Sequence, residues 1–166
     1  MKQVPVEKQA YRDAMARLGA AVNVITTDGP GGKAGFTASA VTSVTDTPPT
    51  LLVCANRKND SYPVFMKNQV LCVNTLTPAQ EELSPIFAGM TEHADDQRFN
   101  MHTWHVLETG APALDEAVAA FDCRITQIVE SGTHDVFFCS VEAVRTGTAH
   151  EGLIYYGRGY HKVSAG

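Results

Sequence analysis

Along Thr37-Ala38-Ser39-Ala40-Val41-Thr42-Ser43, hydroxyl and small side chains alternate. On an extended strand this places Thr37, Ser39 and Val41 on one face and Ala38 and Ala40 on the other. Small residues leave room for a flat molecule. Hydroxyls and free backbone amides can then hydrogen-bond the edge carbonyls and ring nitrogens of a heterocycle. A plainer alternative stands beside this, a Thr/Ser-rich strand face turned to solvent. Further on, Asn56-Arg57-Lys58-Asn59-Asp60-Ser61 gathers two cations, a hydroxyl and a helix start. Lys or Arg beside a helix N-terminus suits a phosphate. The alternative here is an ordinary solvated turn.

Other chemical motifs fail on context. Gly29-Pro30-Gly31-Gly32-Lys33-Ala34 satisfies the letters of the dinucleotide fingerprint, yet strand-like alternation follows it where a helix is required, so a hairpin turn is expected. A P-loop is excluded because Ala34 follows Gly32-Lys33 and Thr27 occupies the position of the first glycine. His102 and His105 could share a helix face, but no adjacent carboxylate or cysteine completes a metal set, and surface histidines flanking Trp104 are expected. No G-x-S-x-G elbow marks a serine hydrolase. The four cysteines, Cys54, Cys72, Cys123 and Cys139, form no C-x-x-C pair and sit among apolar residues, as buried reduced thiols do.

The elements that must position these residues are mostly strands. Tyr11, Ala14, Met15 and Leu18 recur at helical spacing before Gly19, which predicts a helix within residues 5–19 lying against a larger body. Short β-branched runs at 22–27, 36–45, 51–55 and 70–76 predict strands, bounded by Gly, Pro, Asn or Asp. Asn59 or Asp60 could cap a short helix through Lys67, and Thr77-Pro78-Ala79-Gln80 reads as a capping box opening a helix toward Ala88. In the second half, strands are expected at 117–129, with Asp122, Arg124 and Thr126 on a wet face, then at 136–144, 153–156 and 160–163, the last completing the sheet. Closely spaced strands with few helices point to one mainly β domain over residues 1–166, an antiparallel barrel or sandwich.

Composition bounds the function. With 166 residues and 44% hydrophobic content, one self-sufficient core is expected. The 13 basic and 18 acidic residues leave a net charge of −5, which argues against a nucleic-acid binder. No run approaches the roughly 18 apolar residues of a membrane span. Residues 1–10 hold no apolar signal core, so a cytoplasmic location is expected.

Five ordered motifs resemble the short-chain flavin reductases. They are Ala20-Ala21-Val22-Asn23-Val24-Ile25-Thr26-Thr27, Ala34-Gly35-Phe36-Thr37-Ala38-Ser39-Ala40-Val41, and the run from Ser43-Val44-Thr45-Asp46 through Pro48-Pro49 to Val53-Cys54. Gly132-Thr133-His134-Asp135 and Gly152-Leu153-Ile154-Tyr155-Tyr156 with Tyr160-His161 complete the set. Nearly the whole chain is covered, and reductases serving monooxygenases of pyrimidine and of 4-hydroxyphenylacetate breakdown look nearest. The resemblance implies an FMN-binding split β-barrel of Greek-key type with a few peripheral helices, a homodimer that passes hydride from NADH to FMN. It also implies a separate flavin-dependent monooxygenase that takes the reduced flavin; FAD and NADPH stay open as alternatives.

Residue by residue, the resemblance implies that Thr37, Ala38 and Ser39 face the isoalloxazine, with Asn23 and Thr27 on the adjoining strand. It assigns Asn56, Lys58 and Ser61 to the ribityl phosphate, and His134, Tyr160 and His161 to the nicotinamide side. Phe87 and Arg98 belong to a covering segment. His134 could instead merely end a strand, and Tyr155, Tyr156 and Tyr160 could be barrel packing. Two other functions remain open: a barrel that retains its flavin and acts on another small molecule, and a non-enzymatic flavin- or haem-binding module.

Overall fold

A computed structural model describes residues 4–166; residues 1–3, part of the N-terminal stretch read above for a signal core, lie outside the described residues. Strands β1 (Ala20–Ala21), β2 (Asn23–Thr27), β3 (Ala34–Ala38), β4 (Val41–Asp46), β5 (Pro49–Asn56) and β6 (Val70–Thr75) occupy the first half. After them come β7 (Trp104–Val106), β8 (Pro112–Leu114), β9 (Ala119–Ser131), β10 (His134–Thr146), β11 (Glu151–Tyr156) and β12 (Gly159–Ser164). Four helices are short: α1 (Lys8–Met15), α2 (Tyr62–Asn68), α3 (Leu83–Phe87) and α4 (Asp95–Phe99). Seven strands form one antiparallel sheet in the order β3-β2-β6-β9-β10-β5-β4. Its two edges, β3 and β4, are consecutive in the chain and separated only by Ser39 and Ala40, so the sheet closes on itself as a barrel.

That closure explains why the expected 36–45 strand is two. β3 pairs with β2, while β4 pairs with β5, so the chain must change partners at Ser39-Ala40. The Val41 amide donates to Ser39 O (2.9 Å) and the Cys54 amide donates to Ala40 O (3.1 Å), which turn the backbone between the two pairings. On the side of β3 away from β2 there is no strand among the described residues, and alternate backbone groups of β3 face a gap.

Inside the barrel, Ile25, Phe36, Val53, Phe65, Leu71 and Phe137 pack with Cys123 and Cys139. Outside it, Val22 and Val24 join Leu83, Ile86, Phe87, Phe99, Leu114 and Leu153 in a second cluster. Alternation along β2 sends Ile25 to one cluster and Val24 to the other, so this strand is buried on both faces. The second cluster seats α3, α4 and β11 against the barrel wall beside β3.

Several expectations are corrected. Asp122 is not on a wet face: it is fully buried and accepts from the Glu108 amide (2.7 Å), the Thr109 amide (2.8 Å) and Thr109 Oγ1 (2.5 Å), because the 107–111 segment crosses that face. β11 and β12 do not complete the barrel; with β1 they form a separate three-stranded sheet. The Thr77 capping box forms, with the Thr77 amide donating to Gln80 Oε1 (3.1 Å), but the helix breaks after a 3-10 turn at Pro78–Gln80 and resumes at Leu83. Pro85 has no amide to donate to Glu81 O, so an unbroken helix would lose that bond. Helix α1 lies tied to the β11–β12 hairpin only at its end, by the Gly157 amide to Ala16 O (2.7 Å) and Arg158 to Asp13 (2.6 Å). Its stripe of Tyr11 and Met15, with Leu18 beyond, stays exposed, so the predicted packing on the barrel is not seen within one chain.

The glycine run 29–32 makes the expected hairpin turn, with Gly32 N donating to Gly29 O (2.9 Å) and a strand, not a helix, following. Phe137, fully buried in the barrel, gives the fold its most direct test. Phe137→Ala should lower unfolding free energy by about 3–5 kcal/mol in chemical denaturation; a loss below about 1 kcal/mol would mean that this cluster is not the core.

Candidate active site

Where β3 parts from β5, a cavity of about 230 Å³ opens, lined by Thr37, Ala38, Ser39, Ala40, Asn56 and His134 among others. A second cavity of about 230 Å³ shares Thr37, Ala38 and Ser39 and is bordered by Ser84, Tyr155 and Tyr160. A third, about 340 Å³, is lined by Lys58, Asn59, Ser61, Phe87 and Arg98. Asn59 is common to the first and third, and Ala88 to the second and third, so the three form one groove around the split. The sequence-predicted residues Thr37, Ala38, Ser39, Asn56, Lys58, Ser61, Phe87, Arg98, His134 and Tyr160 all border it.

Their side chains do different things. Ser39 Oγ has no hydrogen-bond partner among the described residues, whereas Thr37 Oγ1 donates to Ser84 O (2.6 Å) and so ties β3 to α3. Asn56 Oδ1 accepts from the Lys58 amide (3.0 Å), and Asn59 Oδ1 accepts from both the amide (3.0 Å) and the hydroxyl (2.8 Å) of Ser61. These bonds shape the turn. Lys58 forms no ion pair among the described residues and lines the third cavity, which Asp60 also borders. Arg98, by contrast, pairs with Asp95 (3.3 Å) and donates from Nε to His93 O (3.2 Å). Phe87 packs edge-on against Phe99 (5.1 Å) and Trp104 (5.9 Å), closing the far wall.

Three predicted residues lie apart from the three-part groove. Thr27 is fully buried at the barrel seam, where Oγ1 donates to Val70 O (2.7 Å) and accepts from Asn68 Nδ2 (3.1 Å). Asn23 is also buried; it donates to Ala38 O (3.1 Å) and accepts from Thr75 Oγ1 (2.8 Å), which braces β3 from behind. His161 is exposed, with Nε2 3.0 Å from Tyr156 O, and borders none of these cavities. His134 Nδ1 lies 2.8 Å from Thr133 Oγ1, and Nε2 has no partner among the described residues.

Sequence reasoning missed the network beneath the turn. Buried Asp135 accepts from Arg57 Nη1 (2.8 Å) and from the Tyr62 hydroxyl, while Arg57 also donates to His134 O (2.8 Å) and Gly132 O. The Tyr62 hydroxyl, aided by Arg57, holds the Asp135 carboxyl below the usual carboxylate range, and the same contact pushes the Tyr62 phenol up. The only signal was the aspartate ending Gly-Thr-His-Asp. Ser84, whose Oγ lies 2.7 Å from Tyr160 Oη, carried no sequence signal at all.

Nucleophilic and metal chemistry find no support. All four cysteines are free; burial raises each thiol, with Cys139 pushed up to about 12. His102 and His105 pair with different carboxylates, Glu82 (2.8 Å) and Asp115 (3.3 Å), and no cluster of three metal-ligating side chains exists among the described residues. A broader cavity, about 550 Å³, lies between Ala20-Ala21 and β4, and no Lys or Arg lines it.

The split antiparallel barrel is a fold shared with solved flavin reductases. Residues 15–164 match the flavin reductase like domain, and the chain belongs to that family. Among curated relatives it is 59% identical over 160 residues to the FMN reductase (NADH) RutF of Pantoea ananatis, covering 96% of this chain and 83% of that one. The enzyme of the same name from Enterobacter is 56% identical, with 94% of each covered. Among solved structures, a candidate flavin reductase from Haemophilus somnus superposes with a TM-score of 0.90 at 48% identity, covering 95% of this chain and all of that one. The NADH:FAD oxidoreductase SgcE6 of Streptomyces globisporus gives 0.86 at 26%, with 99% and 98% covered.

The Asp135 network sets a pH dependence. A carboxyl whose folded pKa is depressed contributes stability that is present above its unfolded value, near 4, and is lost as pH falls through the folded value. Asp135→Asn should therefore lower stability at pH 7 by about 1.5–3 kcal/mol. In denaturation at pH 3 the gap from wild type should narrow, and an equal gap at both pH values would contradict the assignment.

Proposed function

We propose that this protein is an NADH-dependent FMN reductase whose reduced flavin leaves to supply a separate monooxygenase. The observation that carries the reading is the open slot at the barrel's split, with Ala38, Ala40 and the unpartnered Ser39 hydroxyl at one end and the unpaired Lys58 beside Ser61 at the other. The names of the curated relatives support both FMN and NADH.

The residues fit a flavin. Small side chains and the unpaired edge of β3 admit a flat ring and offer it backbone groups; Ser39 adds a hydroxyl. Lys58, beside Ser61 in the same cavity, meets a ribityl phosphate. Bound flavin supplies a hydride acceptor at N5. The chain's part is to hold donor and acceptor rings in near contact and keep water out, which positioning alone can accomplish. His134, lining the first cavity, and Tyr160, lining the second, are the residues assigned to the nicotinamide. Neither needs to move a proton.

Asp60 and Asp95 border the phosphate cavity as well. Asp95 is paired with Arg98, but the Asp60 carboxylate, unpaired among the described residues, opposes a second phosphate beyond the first, which favours FMN over FAD. The groove is open to solvent along its length, which suits a flavin bound modestly and released after reduction. The exposed stripe of α1 and the broad cavity beside β4 support a homodimer, since a monomer seldom leaves such apolar surface bare.

Purified protein should oxidise NADH only when a flavin is added, and no flavin-dependent rate above the uncatalysed one would overturn the reading. Lys58→Ala should raise the KM for FMN about five- to tenfold while changing that for riboflavin, which has no phosphate, by less than about twofold. Steady-state kinetics with the two flavins checks this, and an equal rise for both would remove Lys58 from phosphate recognition.

A further inference from the structure

We infer that Asp135, which touches none of the groove, is a positioning residue for flavin phosphate recognition. This rests on the flavin-reductase reading above. Its two carboxylate oxygens hold the two ends of one short segment: Oδ1 accepts from Arg57 and Oδ2 from the Tyr62 hydroxyl. Between those ends lie Lys58, Asn59, Asp60 and Ser61, the rim of the cavity assigned to the phosphate.

The bonds inside the segment shape it and, through Asn56 at the end of β5, tie only its start to the barrel. Asn56 Oδ1 to the Lys58 amide, Asn59 Oδ1 to Ser61, and the Tyr62 amide to Asn59 O (3.0 Å) are all local. Attachment to β10 comes from the Arg57 amide on Thr133 O (3.1 Å) and from the Arg57 and Tyr62 side chains on the 132–135 segment. Glu130, 3.5 Å from Arg57, is exposed and contributes little. The buried carboxylate is the firm partner.

Two consequences follow for the site. Lys58 stands where an anion can reach it because both flanks of its turn are pinned to one point on the barrel. Arg57, the other cation of the turn, is neutralised by Asp135, so the turn presents one free cation, Lys58. Arg57 also grips His134 O, which couples the turn to the start of β10 opposite Asn56. Losing the carboxylate loosens the phosphate rim first, since the strand pairing Asp135↔Ala55 is backbone and survives the substitution.

The test compares FMN with riboflavin in the full-length protein, using Asp135→Asn and, as a milder change that keeps the ring against Phe137, Tyr62→Phe. Asp135→Asn should raise the KM for FMN about tenfold, with riboflavin KM and saturated kcat changed by less than about twofold. Tyr62→Phe should move FMN in the same direction by about threefold. Should Asp135→Asn fail to fold, Tyr62→Phe decides alone. Parallel rises for both flavins, no rise in either variant, or tighter FMN binding through a freed Arg57 would each overturn the inference. Dissociation constants for the two flavins, measured by quenching of flavin fluorescence, give the same comparison without turnover. A wild-type protein that binds FMN but does not oxidise NADH thus fails the functional reading alone.

Discussion

The structure depends on one constraint: residues 34–46 must serve both edges of a seven-stranded sheet. A single straight strand cannot pair with β2 along one half and β5 along the other and still close a barrel of this size, so the chain turns at Ser39-Ala40. Closure at that point is covalent, with only the Cys54 amide to Ala40 O bridging to β5. The gap left beside β3 is the slot. Small side chains at Ala38 and Ala40 keep it open, and the second apolar cluster, through α3 and Thr37 on Ser84 O, holds β3 in place while its outer edge lacks a strand.

The charged features follow from where the slot is. A protein of net charge −5 does not attract anionic ligands through its overall field, so recognition falls to local groups. Among the cations bordering the groove, Arg98 is tied to Asp95, while Lys58 is free. Arg57, adjacent in sequence, is committed to the buried Asp135. The chain thus commits one of two neighbouring cations to structure and leaves the other unpaired among the described residues.

Much of this was legible in the residues. The barrel class followed from short β-branched runs and few helices, and the slot from hydroxyls alternating with alanines at 37–40. What was not legible was mostly tertiary. Asp122 reads as a wet-face residue until the 107–111 loop covers it. Thr27 and Asn23 have the residue types of ligand contacts, but their partners, Val70, Asn68 and Thr75, are some 40 to 50 positions away in sequence, and only strand pairing shows their polar groups to be engaged. The Asp135 clamp needs two strands and a helix to meet, and α1's apolar stripe names its periodicity without naming what covers it.

The central claim is that the break at Ser39-Ala40 and the 57–61 turn together make the flavin site, and a crystal structure of the FMN complex tests it most directly. The account predicts the ring against Ala38 and Ser39 at the edge of β3, with the phosphate between Lys58 and Ser61. Flavin seated instead in the broad cavity beside β4, with the Lys58 turn empty, would contradict it.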